Sequence, residues 1–211
     1  KGLKGLKANV KRRGVVDGSE LARVFAPLQG QLRRPIRFSA FACEELGVLG
    51  STEYVKKHRD EMKQIALMIN LDGAVGSGSK GFNTSGLDDV EALLKKIARE
   101  TDYALKLNEK VVTASDNFPF FIEGVPAIAM FARETDRTLG RGFGHTAMDT
   151  LDKVNARDLH ECAMVAARVT LHLAAHPDSI GRHRTSEEIK QILMEQDLEA
   201  ALRAQGKWIF T

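Results

Sequence analysis

Cysteine is scarce in this chain of 211 residues, with two in all, and that scarcity excludes a disulfide-stapled scaffold. Cys43 and Cys162 fall in an expected strand and an expected helix, among apolar neighbours where free thiols are ordinary. Long apolar runs are missing as well: none approaches the roughly 18 residues a membrane-spanning helix needs. No basic n-region followed by an apolar h-region opens the chain. The first residue is Lys rather than Met, however, so secreted and cytoplasmic settings both stay open. Neither charge sign dominates, with 31 Lys and Arg against 28 Asp and Glu and a net charge of +3. That balance does not point to a nucleic-acid partner. Internal repeats and low-complexity tracts are absent too. What is present is a hydrophobic content of 43%, enough for one sizeable core.

Basic residues crowd the start, at Lys1, Lys4, Lys7, Lys11, Arg12 and Arg13, and residues 1–16 read as a solvated, irregular leader. A single domain is expected over residues 17–211, ending in a helical tail from about residue 185. Glu20 to Phe25 reads as part of a short helix. Pro35 to Ala42 alternates Ile36, Phe38, Ala40 and Ala42 against Arg37 and Ser39, which predicts a strand. A helix is expected from Gly50 to His58. Ile65 to Leu71 is a near-continuous apolar run of strand length, the pattern of a parallel strand covered on both faces. Val90, Leu93, Leu94 and Ile97 recur at helical spacing within Asp88 to Glu100. A further strand is expected at Ala127 to Phe131, and a long helix from Ala156 to Ala175 that Pro177 stops. The tail stretches Ile189-Ile192-Leu193 and Leu198-Ala201-Leu202 are amphipathic, and with Trp208-Ile209-Phe210 they should pack back on the domain. Strands alternating with helices predict an α/β sandwich around a mostly parallel sheet.

Chemistry concentrates at the expected strand ends, where ligands of such sheets gather. Two adjacent acids, Glu44 and Glu45, follow the first expected strand. On extended backbone such neighbours point opposite ways, so one carboxylate can bind a metal while the other reaches a water beside it. Asp72 closes the apolar run, and His145 sits in a glycine-rich loop. These are oxygen and nitrogen donors of the kinds zinc accepts. Each residue also has a plain reading: a Glu-Glu pair is ordinarily solvated surface, Asp72 can cap a turn with Gly73, and His145 can be a surface imidazole. Ser115-Asp116-Asn117 and Asp149-Thr150 read most simply as helix caps.

The ordered segments Arg37-Phe38-Ser39-Ala40-Phe41-Ala42-Cys43-Glu44-Glu45-Leu46-Gly47-Val48-Leu49-Gly50-Ser51, Asn70-Leu71-Asp72, Ser115-Asp116-Asn117-Phe118-Pro119-Phe120 with Gly124-Val125-Pro126-Ala127, and Gly144-His145-Thr146-Ala147-Met148-Asp149-Thr150-Leu151-Asp152 resemble the co-catalytic zinc aminopeptidases of the MH clan. That clan also includes glutaminyl cyclases and glutamate carboxypeptidases. The resemblance covers residues 35–160. It implies a phosphorylase/hydrolase-like αβα sandwich with a mostly parallel mixed central sheet, and a peptide substrate. It also implies roles: Glu44 as general base, Glu45 as ligand to one zinc, Asp72 as ligand to the other, and His145 completing one sphere. Asp116 and Asp149 would contact substrate or support these groups.

The family pattern has two further ligands upstream, a His in a His-x-Asp stretch and a bridging Asp in Gly-Ala-x-Asp-Asn-x-x-Gly. This chain has no histidine before His58. Gly14-Val15-Val16-Asp17 before Glu20-Leu21-Ala22-Arg23 resembles the second motif shortened, which makes Asp17 the candidate bridge. The expectation is therefore a zinc-dependent exopeptidase, its N-terminal portion missing or degenerate, with two zincs in the family pattern and one or none here. Two alternatives stand beside it: a single-zinc glutaminyl-cyclase-like acyltransferase, and a metal-depleted binding or dimerisation module like the ectodomain of the transferrin receptor.

Overall fold

Two of the apolar runs pair with each other. β1 (Met68–Gly73) lies parallel to β4 (Ala127–Ala132), Met68 opposite Ala127 and Asn70 opposite Ala129. In this computed structural model the residues described are 12–73, 76, 78–132 and 143–211, with 12–17 as backbone only. Among them the sheet has four strands in the order β1-β4-β2-β3, where β2 is Lys80–Asn83 and β3 Lys106–Asn108. β2 is antiparallel to β4 and parallel to β3, so the sheet is mixed, with two of its three pairings parallel. β4 reads Ala-Ile-Ala-Met-Phe-Ala and its first four residues are buried, as an inner strand covered on both faces requires.

Helices flank the sheet in two groups. α1 (Arg12–Phe25) and α3 (Asp88–Glu100) both pack on α5 (Ala156–Ala175). α2 (Leu49–Lys57) and α6 (Ser186–Glu195) both pack on α4 (Phe118–Ile122). The expected helical spacings hold: α3 buries Val90, Leu93, Leu94 and Ile97, and α5 buries Cys162, Val165, Ala166, Val169 and Leu173. Asn155 caps α5 by accepting from the Arg157 N–H at 2.8 Å, and Pro177 follows its C-cap residue His176. The tail packs back on the domain as its pattern implied. Ile189 and Leu193 of α6, Leu202 of α7 (Glu199–Ala204) and Phe210 are all buried, and Thr185 opens α6 with a reciprocal capping box to Glu188.

Four expectations require correction. The run from Pro35 to Ala42 keeps its alternation, with Ile36 and Phe38 half-buried between exposed neighbours, but it forms a single bridge at Ser39 rather than a strand. Periodicity reports which side chains face inward; it is silent about whether a hydrogen-bonding partner lies alongside. β1 starts at Met68, not Ile65, because Ile65 ends the 3-10 turn Arg59–Gln64 and the first ladder bond is Met68 N–H to the Pro126 carbonyl. It is also an edge strand of the described sheet and half-buried throughout, so its apolar composition overstates its cover. Finally, α1 begins at Arg12, inside the stretch that reads as an irregular leader. Residues 1–11 of that leader lie outside the described residues.

Candidate active site

Glu44 and Glu45 sit in a turn, not at a strand end. The turn is held by backbone bonds from Leu46 N–H and Leu49 N–H to the Cys43 carbonyl, and from Gly47 and Val48 N–H to the Glu44 carbonyl. Its geometry puts Cys43 at φ 59° and Val48 at φ 55°, left-handed values that disfavour side chains. Cys43 is exposed there, against the expectation of a buried strand thiol. Gly50 closes the turn by donating to the Ala42 carbonyl at 3.0 Å. A Cβ at Gly50 would lie 2.3 Å from that same oxygen, so only glycine fits. The two acids diverge as anticipated: Glu44 is buried at 9% exposure and Glu45 is exposed. The cause is the curl of the turn rather than the pleat of a strand.

His145 comes to meet this turn. It occupies a second turn at φ 64°, closed by Thr146, whose N–H and Oγ1 both donate to the Phe143 carbonyl. Its Nε2 lies 3.3 Å from Glu45 Oε2, with both side chains more than half exposed. Residues remote in sequence are thereby brought within ligand-sharing distance.

Asp72 belongs to a different set of contacts. On β1, Asn70 and Asp72 lie two residues apart and share a face. Ser115 Oγ donates to Asp72 Oδ2 at 2.9 Å and accepts from Asn70 Nδ2 at 2.8 Å. Asn70 Nδ2 also reaches Asn117 Oδ1 at 3.3 Å, and Asn117 Nδ2 donates to the Val112 carbonyl. Asn117 stands at the N-cap of α4 without a capping side-chain bond, so the cap reading of Ser115-Asp116-Asn117 gives way to this buried network. Asp116 is buried at 4% exposure. Asp149 is exposed, its N–H on the Thr146 carbonyl in the turn that follows His145. Thr150 precedes the 3-10 turn Leu151–Lys153 without capping it by side chain. The side chain of Asp17 lies outside the described residues. Asn70, Ser115 and Asn117 received no chemical role from sequence, though the two-residue spacing of Asn70 and Asp72 was a legible sign that they act together.

Catalytic zinc takes three protein ligands and a water. Among the described residues no group of three or more His, Cys, Asp or Glu side chains is placed to hold a metal ion. Glu45 and His145 supply two donors of suitable chemistry, and the described side chains do not by themselves make a complete zinc site.

A mixed sheet flanked by helices, with an acidic turn and an imidazole brought together in loops, defines an α/β domain. The family model of peptidase family M28 matches residues 13–170, and the chain belongs to that family. It is 26% identical over 157 residues to aminopeptidase YwaD of Bacillus subtilis, covering 71% of this chain and 34% of that protein. Over a shorter stretch of 72 residues it is 40% identical to a probable zinc metalloprotease of Phaeosphaeria nodorum, covering 34% of this chain and 14% of the relative. The solved structure of BSAP, a zinc aminopeptidase from Bacillus subtilis, superposes with a TM-score of 0.62 at 26% identity, over 76% of this chain and 41% of that one. The chain thus spans about a third or less of the two curated relatives' length.

Proposed function

We propose that this chain is a zinc-dependent aminopeptidase domain that hydrolyses the N-terminal bond of peptides. The observation that carries the reading is the approach of His145 Nε2 to Glu45 Oε2 at 3.3 Å, directly beside the buried Glu44. Glu45 and His145 would hold zinc, with Asp72 and Asp17 as the remaining candidate ligands. Bound zinc supplies Lewis acidity and a lowered pKa for water. Glu44 acts as general base: it takes the proton of the attacking water and returns it to the leaving amine. Its burial keeps bulk water from competing for that proton. Ser115 and Asn70 orient Asp72. Asp116 acts from beside that network and Asp149 from the turn after His145.

One second reading stands beside it, a metal-free binding or dimerisation module. Zinc content by mass spectrometry and hydrolysis of aminoacyl anilides separate the two. On the first reading the chain carries zinc and turns over. Glu44→Gln then lowers turnover by roughly 10²- to 10⁴-fold with zinc retained, whereas Glu45→Ala and His145→Ala lose zinc. Normal turnover in Glu44→Gln would remove Glu44 from its role, and a chain with neither zinc nor turnover supports the module.

A further inference from the structure

The family match ends at residue 170, yet the helical tail beyond it reaches the segment that leads to Ser115. Residues 109–114 lie in no helix or strand, so their backbone groups need partners from elsewhere. One side chain supplies two of them. Gln196 Oε1 accepts from the Val111 N–H at 2.8 Å, and Gln196 Nε2 donates to the Glu109 carbonyl at 2.8 Å. The amide thus gives the segment the donor and the acceptor that a neighbouring strand would otherwise supply. Lys207 Nζ adds a third tie, donating to the Thr113 carbonyl at 3.2 Å.

Both side chains leave from helix ends that are themselves fixed. At the end of α6 the Asp197 N–H bonds the Met194 carbonyl and the Leu198 N–H the Leu193 carbonyl, with Asp197 at φ 55°. α7 repeats the pattern: Gly206, at φ 66°, donates to the Arg203 carbonyl and the Lys207 N–H to the Leu202 carbonyl. This double closure is the Schellman motif, which satisfies the last carbonyls and sets the direction of the chain beyond them. Ile189, Leu193 and Leu202 are buried beneath, so Gln196 and Lys207 reach out from a firm base. On the far side of the segment Asn117 Nδ2 donates to the Val112 carbonyl, and Ser115 Oγ to Asp72 Oδ2. One short stretch of chain is therefore gripped by the tail at residues 109, 111 and 113 and by the buried network at 112 and 115.

We infer that Gln196, supported by Lys207, is a positioning residue: the tail fixes residues 109–114, and through Ser115 it sets where the Asp72 carboxylate points. The positioning rests on these contacts alone. Its consequence for zinc rests on the aminopeptidase reading, in which Asp72 is a candidate ligand. Removing a group that orients a metal ligand costs roughly 10- to 100-fold in metal affinity. Gln196 acts one step further back, so the lower end of that range applies.

The test uses the full chain and three variants. Gln196→Ala removes both amide bonds, Lys207→Met removes the ammonium and keeps the apolar stem, and Thr185→Ala breaks the capping box at the other end of α6. In metal-free protein the reporters are the Phe118 and Phe121 amides, which donate to the Ser115 and Asn117 carbonyls and do not touch the tail side chains. Their hydrogen exchange should speed several-fold in Gln196→Ala, less in Lys207→Met, and stay at the wild-type rate in Thr185→Ala. Zinc affinity, read by competition with a chelating dye, should fall roughly tenfold in Gln196→Ala and hold in Thr185→Ala. In a Ser115→Ala background the same Gln196→Ala loss should largely vanish, because the intermediary is gone. Unchanged exchange in Gln196→Ala, an equal rise in Thr185→Ala, or a zinc loss that adds in full to that of Ser115→Ala overturns the inference. A wild type that takes no zinc sinks the aminopeptidase reading, and the exchange comparison then decides this one by itself.

Discussion

Two ion pairs in this molecule invite comparison. Arg184 joins the loop before α6 to the start of α3, and its side chain is 3% exposed. It grips Asp89 through two nitrogens at 2.7 and 3.1 Å and reaches Asp88 at 3.0 Å. His145 and Glu45 make a single contact of 3.3 Å with 65% and 52% exposure. The first pair is bidentate, its guanidinium enclosed while the Asp89 carboxylate keeps 33% exposure, and it is backed by the Arg182 N–H on Asp89, so it orders the chain. The second is open on the solvent side and bridges two turns that glycine and left-handed residues hold in place. Charges that stabilise are enclosed, whereas charges left at the meeting of loops stay reachable by a ligand.

Breaking the enclosed pair should cost the most. Arg184→Ala removes the charge-assisted bonds to Asp89 and empties the buried guanidinium's place, and urea unfolding should show a loss of about 3 kcal/mol. Gly50→Ala tests the support of the open pair: its Cβ would strike the Ala42 carbonyl, and a loss of about 2 kcal/mol is expected as the acidic turn shifts. His145→Ala should move stability by less than about 1 kcal/mol, the sharpest contrast between the two sites.

Acid sharpens the same comparison. Burial pushes the Asp89 carboxyl up, but Arg184 and the N–H groups of Arg182 and Val90 outweigh it and hold it below its usual value. A carboxyl depressed in the folded state contributes stability above its unfolded pKa and loses it as pH falls through the folded one. Stability of the wild type should therefore fall from about pH 4 downward, and Arg184→Ala should show a flatter acid limb in pH-dependent unfolding.

Legibility in the sequence varied with how local the cause was. α3 and α5 could be bounded from their apolar spacing because each buries one stripe against whatever lies beneath. The strand expected at Pro35 to Ala42 failed because a strand needs a partner that its own residues do not encode. The opposite faces of Glu44 and Glu45 were anticipated for the wrong reason, and Asp72 was legible from motif order whereas its bond to Ser115 was not. Ser115 and Asn117 read as a cap because a short polar run before Phe118-Pro119 looks the same whether it caps a helix or reaches across to a strand.

By itself, the order of residues determined the family, the alternation of helices and strands, and which acids and imidazole were worth watching, since composition, periodicity and motif spacing are properties of neighbours along the chain. Only the tertiary structure decided that β1 lies at the edge of the described sheet, that Glu45 meets His145 and Asp72 meets Ser115, and that a cavity opens beside Phe143. Those outcomes depend on which distant segments share space, and that is settled by the packing of the whole domain.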